Sequence, residues 1–143
     1  LITLYETYEP VCMKQNLELK LHLSEESYPA MLTDKDRLFQ ILCVFMDNAI
    51  QHSKNNSLIE IEVIATEKNI AFSVADHGQG ISDEDKQYIF DRFYSGDKSH
   101  TNKSNFGLGL SIAKELTQML NGTITINDTA GGGATFTVKF PLK

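Results

Sequence analysis

The sequence predicts an α+β two-layer sandwich: a mixed, mainly antiparallel sheet of about five strands with three helices on one face. Three observations predict it. Large apolar residues recur at every second position through 17–23, 59–63, 70–74 and 136–140, as they do in half-buried strands. Leu38, Ile41, Leu42, Phe45 and Ala49, and later Leu108, Ile112, Leu116, Met119 and Leu120, recur at helical spacing. The tight turn Glu67-Lys68-Asn69 joins two of the strands directly and makes them antiparallel. With 143 residues, 41% hydrophobic and 22% charged, the chain suits one domain with one core.

Leu1–Asn16 reads as a linker leading into a domain that spans 17–143. Because the chain begins at Leu1 and not at methionine, it is expected to be a piece of a longer protein. Leu17, Leu19, Leu21 and Leu23 form a first strand, Ser24–Pro29 a turn, and Met31–Thr33 a short strand. Asp34-Lys35-Asp36-Arg37 opens a helix, its acidic side chains favourable against the N-terminal dipole. Val44, Asn48 and either Gln51 or His52 follow one another on the flank of that helix, which stops near Ser53–Asn56. The strand from Ile70 runs through Val74 to Asp76. Ser82-Asp83-Glu84-Asp85 starts a short helix reaching about Phe90. Ser95–Asn105 is polar and aperiodic and reads as a mobile loop. A helix begins at Phe106-Gly107-Leu108-Gly109-Leu110 and is capped by Asn121-Gly122. A strand through Ile124 and Ile126, a turn at Gly131-Gly132-Gly133 and a closing strand ending at Pro141 complete the domain.

A net charge of −6 weighs against a nucleic-acid partner. Two cysteines, Cys12 and Cys43, without CxxC spacing, argue for free thiols and a reducing compartment. No apolar run reaches membrane-spanning length and no signal peptide is visible.

The chemistry concentrates at Val74–Ser82. Alternation puts Asp76 on the apolar face of its strand, where an unpartnered carboxylate costs several kcal/mol; something polar must meet it. Gly78 and Gly80 let a ligand ring approach backbone, although the same pattern also describes an Asx turn. Asn48 offers a hard amide oxygen suited to magnesium, or is a partly exposed helix residue. Gly107 and Gly109 present unhindered N–H groups for phosphate at a helix start, or simply a flexible junction; no GxxxxGK[ST] loop is present. Arg92, Lys98, His100 and Lys103 either clamp phosphates or keep their loop solvated.

Taken together and in order, DNAIQHS at 47–53, DHGQGIS at 76–82, IFDRFY at 89–94 and NFGLGLSIAKEL at 105–116 resemble the four boxes of the catalytic, ATP-binding domain of bacterial sensor histidine kinases. The closing GGGATFTVKFPL at 131–142 is similar to that family's last strand. The resemblance implies a Bergerat-type ATP-binding fold, shared with gyrase, MutL and a heat-shock chaperone family, binding ATP and magnesium. It implies that Asp76 accepts from the adenine amino group, that Gly78, Gly80 and His52 surround the base, and that Ile81 belongs to the same nucleotide site. It further implies that Asn48 holds magnesium and that Gly107 and Gly109 cradle phosphate, with Leu108 and Leu110 in the same nucleotide site. Arg92 and Phe93 belong to the same nucleotide site, Phe90 and Phe93 anchoring the near end of a lid at 95–105.

By the same resemblance the γ-phosphate goes to a histidine on a separate dimerisation domain, and a response regulator acts downstream. None of His22, His52, His77 or His100 sits in an acceptor context. The isolated domain is expected to be a monomer, its parent a homodimeric, membrane-anchored sensor with this domain in the cytoplasm. Three departures stand out. Val44 occupies the place of a second asparagine, or of the glutamate base of gyrase-like ATPases. Gln51 and Ser95 replace a common lysine and arginine, and Ala134 replaces a frequent hydroxyl residue. These changes point to weaker nucleotide affinity on a retained fold. The rivals are a nucleotide-binding regulatory module with little or no transfer, and an ATPase or serine kinase of the same superfamily.

Overall fold

The computed structural model describes residues 1–23, 34–91 and 106–142, with side chains in the last segment from 109 onward. The expected turn and strand at 24–33, the loop 95–105, and Arg92 and Phe93 lie outside the described residues. The order of elements is α1 (Ile2–Lys14), β1 (Glu18–Leu23), α2 (Lys35–His52), β2 (Leu58–Ala65), β3 (Asn69–Ala75), α3 (Asp83–Lys86), α4 (Phe106–Met119), β4 (Thr123–Asp128) and β5 (Ala134–Pro141).

The five strands form one sheet in the order β1-β2-β3-β5-β4. β1 pairs parallel to β2, Glu18 opposite Leu58 and Leu23 opposite Val63; every other pairing is antiparallel. The mixed sheet follows from the connections. β2 and β3 are joined by a tight turn in which Thr66 Oγ1 accepts from Lys68 N and Asn69 N. β1 and β2 are separated by α2, and such a crossover is what a parallel pair requires.

Alternation sorts the faces. Ile59, Ile61 and Val63 of β2, Ile70, Phe72 and Val74 of β3, and Ala134, Phe136, Val138 and Phe140 of β5 are buried under the helices. α2 answers with Ile41, Leu42, Phe45, Met46, Ala49 and Ile50, Phe45 stacking on Phe136 at 5.4 Å. Asp34 caps α2, its Oδ1 accepting from Asp36 N and Arg37 N at 3.0 and 3.2 Å. The opposite sheet face carries Glu60, Glu62, Ser73 and Thr135 and the exposed Ile64.

Residues 1–16, expected to be a linker, instead hold α1. Leu4, Tyr8 and Cys12 lie one helical turn apart and are buried against the core. The short stripe and Pro10 within the helix hid the pattern, since proline removes one helical donor. Helices among the described residues therefore number four, not three. The helix expected over 82–90 is shorter, Asp83–Lys86, and β3 stops at Ala75, one residue before Asp76. Both cysteines are free thiols. No helix among the described residues is long and apolar enough to cross a membrane.

Candidate nucleotide site

Asp76 sits just past β3 and is 2% exposed. Its burial is supported by backbone: Oδ1 accepts from Gly78 N at 3.0 Å and from Ala134 N at 3.2 Å. Asp76 N in turn donates to the Ala134 carbonyl at 3.0 Å. Oδ2 accepts nothing from the described residues. The carboxylate is thus fixed by one oxygen while the other is free to receive a donor such as an exocyclic amino group.

Two glycines make this arrangement possible by close approach. A Cβ built on Gly78 would run into the backbone carbonyl of His52, and one on Gly133 into that of Asp76. Gly80 adopts φ +78° beside Gly133, a left-handed conformation natural to glycine. The strand end, the loop before β5 and the C-terminus of α2 are therefore packed backbone to backbone around Asp76.

α2 connects this end to the next feature. His52 lies over Gly78, Asn48 is one turn back, and Val44 is one turn further, its Cγ1 3.6 Å from where a Cβ on Gly109 of α4 would be. From His52 to Val44 the axis advances about 12 Å. A cleft of about 510 Å³ opens along this flank, lined by Val44, Asp47, Asn48, Ile50, Gln51, Gly109 and Leu110, with Val11 and Gln15 of α1. Asn48 Nδ2 is buried and has no hydrogen-bond partner among the described residues. An orphaned polar atom of this kind costs about 1–3 kcal/mol, and the amide can turn either its oxygen to a cation or its nitrogen to a phosphate oxygen.

The expected residues fall as follows. Asp76, Gly78, Gly80 and His52 meet at the α2 C-terminus; the His52 side chain is exposed and its backbone makes the contact. Ile81 packs partly buried against the core. Asn48, Gly109 and Leu110 share the cleft, though Leu110 is 5% exposed and chiefly a core residue. Gly107 and Leu108 lie in the first turn of α4. Phe90 sets its ring edge-on to Phe136 at 6.2 Å, tying the last described turn before residue 92 to the core. Ala134 reaches the site through its backbone, a role that the missing hydroxyl does not affect.

Sequence reasoning missed Tyr8 and Asp47. The Tyr8 hydroxyl donates to Asp47 Oδ1 at 2.8 Å and lies 3.3 Å from the Cys43 carbonyl. Burial, then these two contacts, push the phenol well above the ordinary tyrosine range, so it remains a donor. The four-residue spacing of Leu4, Tyr8 and Cys12 was the available signal.

Behind the site, on the open sheet face, Glu60 is shared by two imidazoles: His77 Nε2 at 2.9 Å from Oε1 and His22 Nε2 at 2.8 Å from Oε2. The His77 hydrogen bond is the main reason the Glu60 carboxyl is held below its usual range, with His22 adding to it. Among the described residues no three His, Cys, Asp or Glu side chains are placed to hold a metal ion.

The family described as histidine kinase-, DNA gyrase B-, and HSP90-like ATPase matches residues 33–143. Sensor protein CiaH of Streptococcus pneumoniae is 36% identical over 142 residues, which is 99% of this chain and 32% of that protein. The chain thus spans between about a quarter and a third of the length of the curated relatives it matches. Among solved structures, the nucleotide-free catalytic domain of histidine kinase ThkA superposes with a TM-score of 0.85 at 25% identity, covering 99% of this chain and 89% of that one. ThkA in complex with response regulator protein TrrA gives 0.83 at 23% identity, over 99% of this chain and 39% of that one, a likeness of fold. Full-length ShkA in complex with AMPPNP gives 0.83 at 26%, over 99% of this chain and 29% of that one.

Proposed function

This chain belongs to the histidine kinase-, DNA gyrase B-, and HSP90-like ATPase family, and from that premise we propose that it is the catalytic, ATP-binding domain of a sensor histidine kinase. The observation that carries the reading is the combination of a buried carboxylate held through one oxygen, close to the C-terminus of α2, with an unpartnered buried amide one turn back along that helix. The free oxygen of buried Asp76 marks the base end, and the unpartnered Nδ2 of Asn48 marks the phosphate end one helical turn from His52. Relatives support it: CiaH is named a sensor protein, and ShkA was solved with AMPPNP.

In this reading Asp76 Oδ2 accepts from the adenine amino group. Gly78 and Gly80 leave room for the ring, with Ile81 and His52 at its margin. Asn48 is the residue fitted to magnesium, whose ordinary contribution when bound is to neutralise charge on the triphosphate. Backbone N–H groups in the first turn of α4, at Gly107–Leu110, favour phosphate oxygens. Arg92 and Phe93, outside the described residues, belong to the same site in this proposal. The protein's share of phosphoryl transfer is then positioning and electrostatics. The acceptor is a histidine on the parent's own dimerisation domain, the later recipient a response regulator, and the parent a membrane-anchored homodimer with this domain on the cytoplasmic side.

The test is a titration with a fluorescent ATP analogue, with and without magnesium, on wild type and Asp76→Asn. Wild type is expected to bind in the micromolar to millimolar range and Asp76→Asn to bind at least tenfold more weakly, as expected of a charged hydrogen bond of about 1.5–3 kcal/mol. Absence of wild-type binding at millimolar nucleotide defeats the proposal. Transfer to the cognate dimerisation domain supplied in trans then tests the kinase step itself.

A further inference from the structure

We propose that Asp47 supplies the second oxygen donor at the magnesium end of the nucleotide, which Val44 does not provide, and that Tyr8 is its positioning residue. The inference rests on the reading of this cleft as a Mg-ATP site. Val44, Asp47, Asn48 and Gln51 line one cleft. Magnesium takes hard oxygen ligands in near-octahedral geometry and keeps several waters, which themselves need acceptors. Val44 can offer neither, and on the turn it shares with Asn48 the one carboxylate is that of Asp47.

The Asp47 side chain is exposed on the helix but is not loose. Its Oδ1 is held by the Tyr8 hydroxyl at 2.8 Å, from a ring that is 8% exposed and lodged between α1 and α2. That hydroxyl also reaches the Cys43 carbonyl at 3.3 Å, so the donor itself is fixed to α2 one turn below Asp47. Fixing one oxygen leaves Oδ2, which accepts nothing from the described residues, on a tethered side chain that lines the same cleft as Asn48. An orphaned amide and a tethered carboxylate on adjacent residues form a donor pair suited to a hydrated cation. Outer-shell groups of this sort typically change metal affinity by about 10- to 100-fold.

A carboxylate so placed repels a triphosphate when magnesium is absent and attracts the ion when it is present, and the two effects have opposite signs. The experiment uses that difference. Affinity for a fluorescent ATP analogue is measured across a magnesium titration and again in EDTA, for wild type, Asp47→Asn, Tyr8→Phe, Asp76→Asn and the open-face control Glu62→Gln. Asp47→Asn is expected to raise the magnesium concentration at half-effect by about 10-fold while binding in EDTA is unchanged or tighter. Tyr8→Phe is expected to shift the magnesium midpoint in the same direction by several-fold, and Glu62→Gln to shift nothing. Asp76→Asn weakens binding equally in both conditions. An unchanged magnesium midpoint in Asp47→Asn, with wild-type binding in EDTA, overturns the inference while leaving the ATP reading intact. Loss of wild-type binding in both conditions defeats the ATP reading.

Discussion

Asp76 and Ala134 hold each other twice. The Asp76 amide donates to the Ala134 carbonyl at 3.0 Å, and the Ala134 amide donates back to Asp76 Oδ1 at 3.2 Å. The side chain proposed to meet the adenine is thus also the clasp between the end of β3 and the start of β5. Asp76→Asn preserves an oxygen for both backbone donors and is expected to keep its thermal stability while losing nucleotide affinity. Asp76→Ala strands two buried N–H groups, at about 1–3 kcal/mol each, and is expected to melt several degrees lower by calorimetry. Equal melting temperatures for the two variants would refute the clasp.

Gly78 lies directly under the His52 carbonyl. Gly78→Ala must push apart two stretches of backbone, since no flexible side chain is there to yield. The expected cost is about 1–3 kcal/mol, which for a domain of this size lowers Tm by roughly 3–10 °C. Nucleotide binding should fall with it, because displacement of His52 tilts the end of α2. A variant with wild-type melting would show that the two segments separate freely.

Tyr8 contributes a pH-dependent share of stability. Its folded-state pKa is raised above the ordinary 10.0, first by burial and then by the Asp47 hydrogen bond. The unfolded chain therefore loses the proton first as pH rises. The stabilisation is complete below about pH 10 and is lost progressively above it. Denaturant unfolding of wild type should weaken more steeply above about pH 10 than that of Tyr8→Phe, which should be less stable at neutral pH by about 1 kcal/mol for the lost hydrogen bond. Parallel alkaline limbs would contradict the assignment.

Glu60 acts at the other end of the scale. Its carboxyl lies below the usual 4.5 because His77, and then His22, hydrogen-bond to it. A depressed carboxylate adds stability above its unfolded pKa and loses it as pH falls through the folded one. Thermal melts taken from neutral to acid pH should show a shallower acid loss for Glu60→Gln than for wild type. His77→Ala should remove more of the effect than His22→Ala. The order of the two histidines is the sensitive readout, and its reversal would mean that His22 is the principal partner.

The parts of this molecule legible in sequence are those whose signal is local and periodic. Ile59–Val63 and Ile70–Val74 alternate because each strand has one wet face, and that alternation assigned the faces correctly. It says nothing of strand direction, so the parallel partnership of β1 and β2 became visible only in the sheet. α1 was missed because its buried stripe is just Leu4, Tyr8 and Cys12, interrupted by Pro10. Asp76 was readable as a buried, hydrogen-bonded carboxylate because it is an anomaly at the end of an apolar strand. Asp47 was not, since an aspartate on the exposed side of a helix is ordinary until the partner that holds it is known. That partner, Tyr8, lies 39 residues away, beyond the reach of any local pattern.

The parallel pairing of β1 with β2 has a consequence for how the chain assembles. β2, β3, β5 and β4 are joined by antiparallel ladders, and the β2–β3 turn closes within a few residues. β1 can dock only after the intervening 34 residues between Leu23 and Leu58 have folded back with α2 against the sheet. Long-range parallel pairing carries a large loop-closure entropy and is intrinsically slow. α2, which bears Asp47, Asn48 and His52 and stacks Phe45 on Phe136 of β5, must therefore be in place before that parallel pair closes. The slow step of assembly is then the docking of the β1 edge onto a sheet that α2 already covers.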